Sequence, residues 1–281
     1  MREYSRPMWS IGIVTLAAAC AGPSARSRTA DDAAPRKPAA ALEPSMRVDP
    51  RCILHTDPDT VREDGSAVLL LWTFPDDPVY SAFVLPADST YLAYRAAIRT
   101  AGAALRNPIA DEPAPSSEAE ATLMRNEAVN RDLAQRGEVG VIEPIRCLDA
   151  LLFALQHARV SQLTQPSEFL ASVLRKEIGG VAQLTVLFGA GSEMFPPKSV
   201  YGFDVVEEHV AQGWEYWYAL HNHTLQRDGD RPALGAPALS TSDVQLMRSL
   251  ARDTGLQSAR VTNGFYTYAV SAGQLDRLRS R

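Results

Sequence analysis

The sequence predicts an α/β (α+β) protein: a sheet flanked by helices, preceded by a smaller α+β region. Three observations carry that expectation. The chain has 281 residues, with 46% hydrophobic and 22% charged side chains, enough to close a sizeable core. From about residue 143, short apolar runs rich in branched and aromatic residues alternate with stretches of helical spacing. Gly, Pro and Asn-Gly signals separate them.

The elements follow in order. "SAVLLLW" (66–72) and "YSAFVL" (80–85) predict strands, with "PDDP" (75–78) as the turn between them. "STYLAYRAAIRTAGAAL" (89–105) predicts an amphipathic helix capped by Ser89 or Thr90. A loop over 106–117 leads to a helix over 117–137 that stops at Gly137. These make up the N-terminal α+β region, 46–142. The second region, 143–281, opens with a helix over 144–159, where Cys147, Leu148, Leu151, Leu152 and Leu155 share one face. Strands are expected over 167–175, 181–189, 196–206 and 214–223, and a helix over 240–255 with Ser240 or Ser242 as cap and Gly255 at its end. A hairpin over 258–270 turns at Asn263-Gly264, and a last helix closes the chain.

The first 45 residues differ in kind. Arg2 and Arg6 precede the apolar run "MWSIGIVTLAAA", too short to span a bilayer, and small residues lead to Cys20. This resembles a bacterial lipoprotein signal over 1–20. It implies cleavage before Cys20, acylation of that residue, and attachment to the periplasmic face of the outer membrane. The alternative is an ordinary secretory signal. Residues 21–45 are rich in Ala, Pro, Ser and mixed charge, the composition of a flexible tether. The two other cysteines, Cys52 and Cys147, can pair in an oxidising envelope; the alternative is two buried thiols. A net charge of −5 provides no basic footprint, which argues against nucleic acid as a partner.

The chemistry concentrates in "WYALHNHTLQRDGDRPALGAPALSTSD" (217–243). In a strand, side chains repeat every two residues, so His221 and His223 share a face and can reach one ion. Asn222 between them points the other way and is expected to be structural. Zinc takes imidazole nitrogens and a carboxylate oxygen, and a catalytic site leaves one position open. Asp243, at the start of the next helix, supplies a third ligand. The bland alternative is a pair of polar strand-end histidines. His55, His157 and His209 have no comparable setting.

The order "HNH" (221–223), then "STSD" (240–243), with a glutamate upstream, resembles the JAMM (JAB1/MPN+) metallopeptidases, over roughly residues 143–270. The resemblance implies a three-layer mixed sheet, Zn2+ on His221, His223 and Asp243, and hydrolysis of peptide or isopeptide bonds. It also implies Glu168 as general base and Ser240 as hydrogen-bond donor to the oxyanion. Glu177, Glu193, Glu207, Glu208 and Glu215 compete for the base. Glu168 is preferred because it opens a strand just after a helix. The chain departs from the family in having Thr224 where Pro usually follows the second histidine, and a longer loop before Asp243. The alternative function is a non-catalytic zinc-binding or scaffolding module of the same fold. A nuclease reading of the letters HNH lacks a basic groove, and a zinc deaminase lacks the cysteine ligands.

Overall fold

The computed structural model describes residues 46–100, 115–223, 226–228, 231–233 and 237–280, with side chains omitted over 224–236. The expected signal, tether, most of the loop over 106–117, and the helix beyond residue 100 lie outside the described residues. Among the described residues, no helix is long and apolar enough to cross a membrane. All of them belong to one compact unit, Pro38–Arg281.

The architecture is mixed α/β. One eight-stranded sheet runs in the order β1-β2-β5-β4-β6-β9-β10-β3. Its strands are β1 (Thr60–Asp64), β2 (Ala67–Pro75), β3 (Val141–Pro144), β4 (Phe169–Ile178), β5 (Val181–Ala190), β6 (Glu215–Asn222), β9 (Ser258–Thr262) and β10 (Tyr266–Ser271). Every pairing is antiparallel except β6–β9. A short hairpin, β7 (Gln226–Asp228) with β8 (Arg231–Ala233), forms a separate two-stranded sheet within the loop after the histidines. β1 and β2, from before residue 143, and β3, which straddles that position, thus share their sheet with the strands of the later region.

Helices cover both faces. α1 (Ser89–Thr100) and α3 (Cys147–Arg159) pack with Val68, Leu70, Val173, Val186 and Leu220 in one cluster. α2 (Glu118–Gln135), α4 (Phe203–Ala211) and α5 (Thr241–Thr254) pack with Leu69, Leu170, Leu187, Ala219 and Val261 in the other. Alternation sends successive strand residues to opposite clusters. The central strands are covered on both sides, so "FLASVL" in β4 is buried throughout. The expected disulfide is present: Cys52 and Cys147 are bridged, with Cα atoms 5.7 Å apart. It joins the segment before β1 to the first turn of α3.

Several elements differ from expectation. The stretch 80–85 is not a strand. Asp77 caps Val79 and Pro78 opens a 3-10 turn over Pro78–Ser81, because proline presets the helical φ and has no N–H to waste there. The expected strand over 196–206 is a 3-10 turn, Lys198–Val200, followed by α4. Gly202 sits at φ 67°, a left-handed conformation that breaks an extended run and starts the helix. The last segment forms a 3-10 turn, Ala272–Arg277, rather than an α-helix. β1 and β3 lacked a strand signal. β1 is wholly exposed, and its "TVRED" carries the charges that keep an edge strand from pairing further.

Candidate metal centre

β6, α5 and β9 form a β-α-β unit in which the two strands are parallel neighbours. The carboxyl end of β6 and the amino end of α5 therefore meet at one rim of the sheet. Such rims, where strands end and helices begin, are where open sheets present binding groups. His221 lies in β6 on the face covered by α5, and His223 follows one residue past the strand, its N–H held by the Thr262 carbonyl at 2.9 Å. Asp243 lies in the first turn of α5.

The three side chains converge. His221 Nε2 and His223 Nε2 are 3.3 Å apart, and each is 3.2 Å from Asp243 Oδ2. Ligand atoms about 2.0–2.1 Å from a tetrahedral centre stand about 3.3–3.4 Å from one another, so this triangle has the dimensions of three ligands around one ion. Three electron-rich atoms this close repel unless a cation or a proton lies among them. The group could hold a metal ion. His221 is almost fully buried, and among the described residues its buried Nδ1 has no hydrogen-bond partner.

Asp243 is fixed by the helix it starts. Ser240 is the N-cap: its Oγ accepts from Asp243 N–H at 3.1 Å, and its own N–H donates to Asp243 Oδ2 at 2.7 Å. This reciprocal pair is a capping box with aspartate in the third position. Burial pushes the Asp243 carboxyl up, but the adjacent imidazoles outweigh it and hold the group well below the usual carboxylate range. It is ionised and ready to bind a cation at neutral pH. From α2, Glu127 Oε1 accepts from both the N–H and the hydroxyl of Thr241, at 3.0 Å each, and pins the same helix end.

Glu168 precedes β4. Leu170 pairs with His221 in the antiparallel β4–β6 ladder, and continuing that register by two residues sets Glu168 across from His223. Burial pushes its carboxyl above the ordinary glutamate value; the imidazoles of His223 and His221 oppose this and Asp243 reinforces it. The competing glutamates lie elsewhere. Glu177 is at the far end of β4, Glu207 and Glu208 are in α4, Glu215 begins β6, and Glu193 is exposed in the 191–197 loop. Ser240, not Ser242, caps α5; its Oγ accepts the Asp243 N–H at 3.1 Å and makes only a long donation, 3.5 Å, to Ser242 Oγ.

Sequence reasoning missed Tyr201. Burial raises its phenol, and the nearby Glu168 and Asp243 charges raise it further, which puts it in the field of this site. Its ring stacks edge-on with Phe203, 5.3 Å between centroids. Nothing local marked it, because the stretch around it read as a strand. Glu127 was also missed, since its contact with Thr241 spans 114 residues. No family model, curated protein or solved structure matches the chain.

Proposed function

We propose that the protein is a zinc-dependent hydrolase of peptide or isopeptide bonds, similar to the JAMM metallopeptidases. The observation that carries this reading is the convergence of His221 Nε2, His223 Nε2 and Asp243 Oδ2, with Glu168 just past the end of the β4–β6 ladder and within the field of all three. Two imidazoles and one carboxylate are a donor set that suits zinc and leaves a coordination position open. When bound, zinc supplies a Lewis acid and makes a water acidic near neutral pH.

The remaining chemistry belongs to side chains. Glu168, ionised, takes a proton from the attacking water as its oxygen bonds to the substrate carbonyl carbon. The C–N bond then breaks, and Glu168 returns the proton to the leaving amine. A raised carboxyl value suits this double duty, because the group must both accept and release a proton. Ser240 donates its hydroxyl proton to the oxygen that becomes negative, a contact whose loss typically costs about 3–4 kcal/mol of transition-state stabilisation. The Cys20 signal supports attachment to an envelope membrane, where the substrates would be envelope proteins or cell-wall peptides.

Zinc analysis of the purified full chain tests the reading. Wild type should carry about one equivalent, and His223→Ala should lose it. Glu168→Gln should keep the metal and lose hydrolysis. A wild-type protein that takes up no zinc would sink the hydrolase and leave a binding or scaffolding module. Placing Cys20→Ser in the full chain should release the protein from the membrane fraction; retention would refute the lipid anchor.

A further inference from the structure

We propose that Asn222 is a positioning residue that holds Glu168 against the His221–His223–Asp243 group; the inference rests on the role given to Glu168 above. The middle residue of His-x-His faces away from the ligands, into the sheet's other layer. There Asn222 is fully buried. Its Oδ1 accepts from Phe169 N–H at 2.7 Å, and its Nδ2 donates to the Ser167 carbonyl at 3.0 Å. These two backbone groups flank Glu168 on either side. One is a donor and the other an acceptor, which fixes the orientation of the amide.

The bonds sit where the backbone ladder stops. The β4–β6 pairing begins at Leu170, so residues 167–169 have no ladder partner on β6. The Asn222 amide takes that place. The N–H of Glu168 itself donates to the Met194 carbonyl at 2.8 Å. Ser167 is held further, its Oγ accepting from Gln156 Nε2 at 2.6 Å and from Gln162 Nε2 at 3.3 Å. The backbone around Glu168 is thus fixed at three consecutive residues, and the anchor for two of them lies between the metal-binding histidines. A shift of the ligand strand carries the base with it. An apolar side chain at 222 would fill the space but leave a buried N–H and a buried carbonyl without partners.

The experiment uses the full chain loaded with Co2+, whose visible spectrum reports the surroundings of the ion. Asn222→Leu should bind Co2+ as wild type does, while the Phe169 amide loses about tenfold or more of its protection from hydrogen exchange. Its spectrum should move as that of Glu168→Gln does. Adding Asn222→Leu to Glu168→Gln should produce no further change, the non-additivity expected of two residues acting as one unit. If Asn222→Leu does not fold, Asn222→Asp serves, since it keeps an acceptor for Phe169 and loses the bond to Ser167. A wild-type spectrum in either variant, or loss of Co2+ binding, would overturn the proposal while leaving the hydrolase reading intact. No Co2+ uptake by wild type, or a Glu168→Gln spectrum identical to wild type, would overturn both.

Discussion

Asp243 has two duties that can be separated. Its Oδ2 faces the imidazoles, and the same oxygen closes the cap with Ser240 N–H. Asp243→Asn keeps an acceptor for that N–H but removes the ionised ligand. Metal content should fall to background while the urea midpoint of the metal-free protein changes little. Ser240→Ala removes the acceptor for Asp243 N–H, at a cost of about 1 kcal/mol of stability, together with the hydroxyl proposed as oxyanion donor. Its urea midpoint should fall at constant m with metal retained; a lost metal would mean that the cap also shapes the ligand. His157 makes a different pH prediction. Burial holds its imidazole below the ordinary 6.5, with Asp88 opposing, and its Nδ1 accepts from Gln162 N–H at 3.0 Å. Below 6.5 the unfolded chain takes up a proton that the folded chain still refuses. Stability is therefore full above that value and falls as pH drops beneath it. Urea midpoints measured at about pH 7.5 and 5.5 should show a smaller drop in His157→Gln than in wild type.

Elements reach the site through close backbone contacts. The turn Lys198–Val200 lies directly on β5 at Gly189, and a methyl group there would overlap the Val200 carbonyl. The glycine is needed for space and not for φ, since only its positive-φ counterparts require left-handed backbone. Gly189→Ala should cost about 1–3 kcal/mol, read as a lower denaturation midpoint, and should displace Tyr201 at the end of the turn. An unchanged midpoint would mean that the turn lifts away freely. The helix carrying Asp243 is held in the same long-range manner by Glu127 from α2. This contact gives residues before 143 a part in shaping the site.

At the scale of the molecule, the disulfide spans a sequence separation of 95. In the chain-entropy model a loop of that length contributes about 4–5 kcal/mol by restricting the unfolded chain. The double substitution Cys52→Ala, Cys147→Ala should lower unfolding free energy by up to that amount, measured in urea. The zinc proposed for the site would add to stability in proportion to its occupancy, so a chelator should lower the melting temperature of wild type and leave His223→Ala unmoved. Both effects act on one unit, because the sheet that carries the site also includes β1, β2 and β3.

The sequence by itself determined the site's local geometry. Period-two alternation put His221 and His223 on one face and turned Asn222 to the other, and the Ser240–Asp243 spacing wrote the start of α5. Those are short-range rules, and they held wherever one periodic pattern dominated. They failed at 80–85 and 196–206, where Pro78 and Gly202 override an extended-looking run. Only the tertiary structure decided what distant segments do to the site: the β4–β6 register that ends two residues from Glu168, the Glu127 contact with α5, and the placement of Tyr201. The reason is physical. A register or a contact across 53 to 114 residues is set by how whole layers pack, and no local pattern in the chain encodes it.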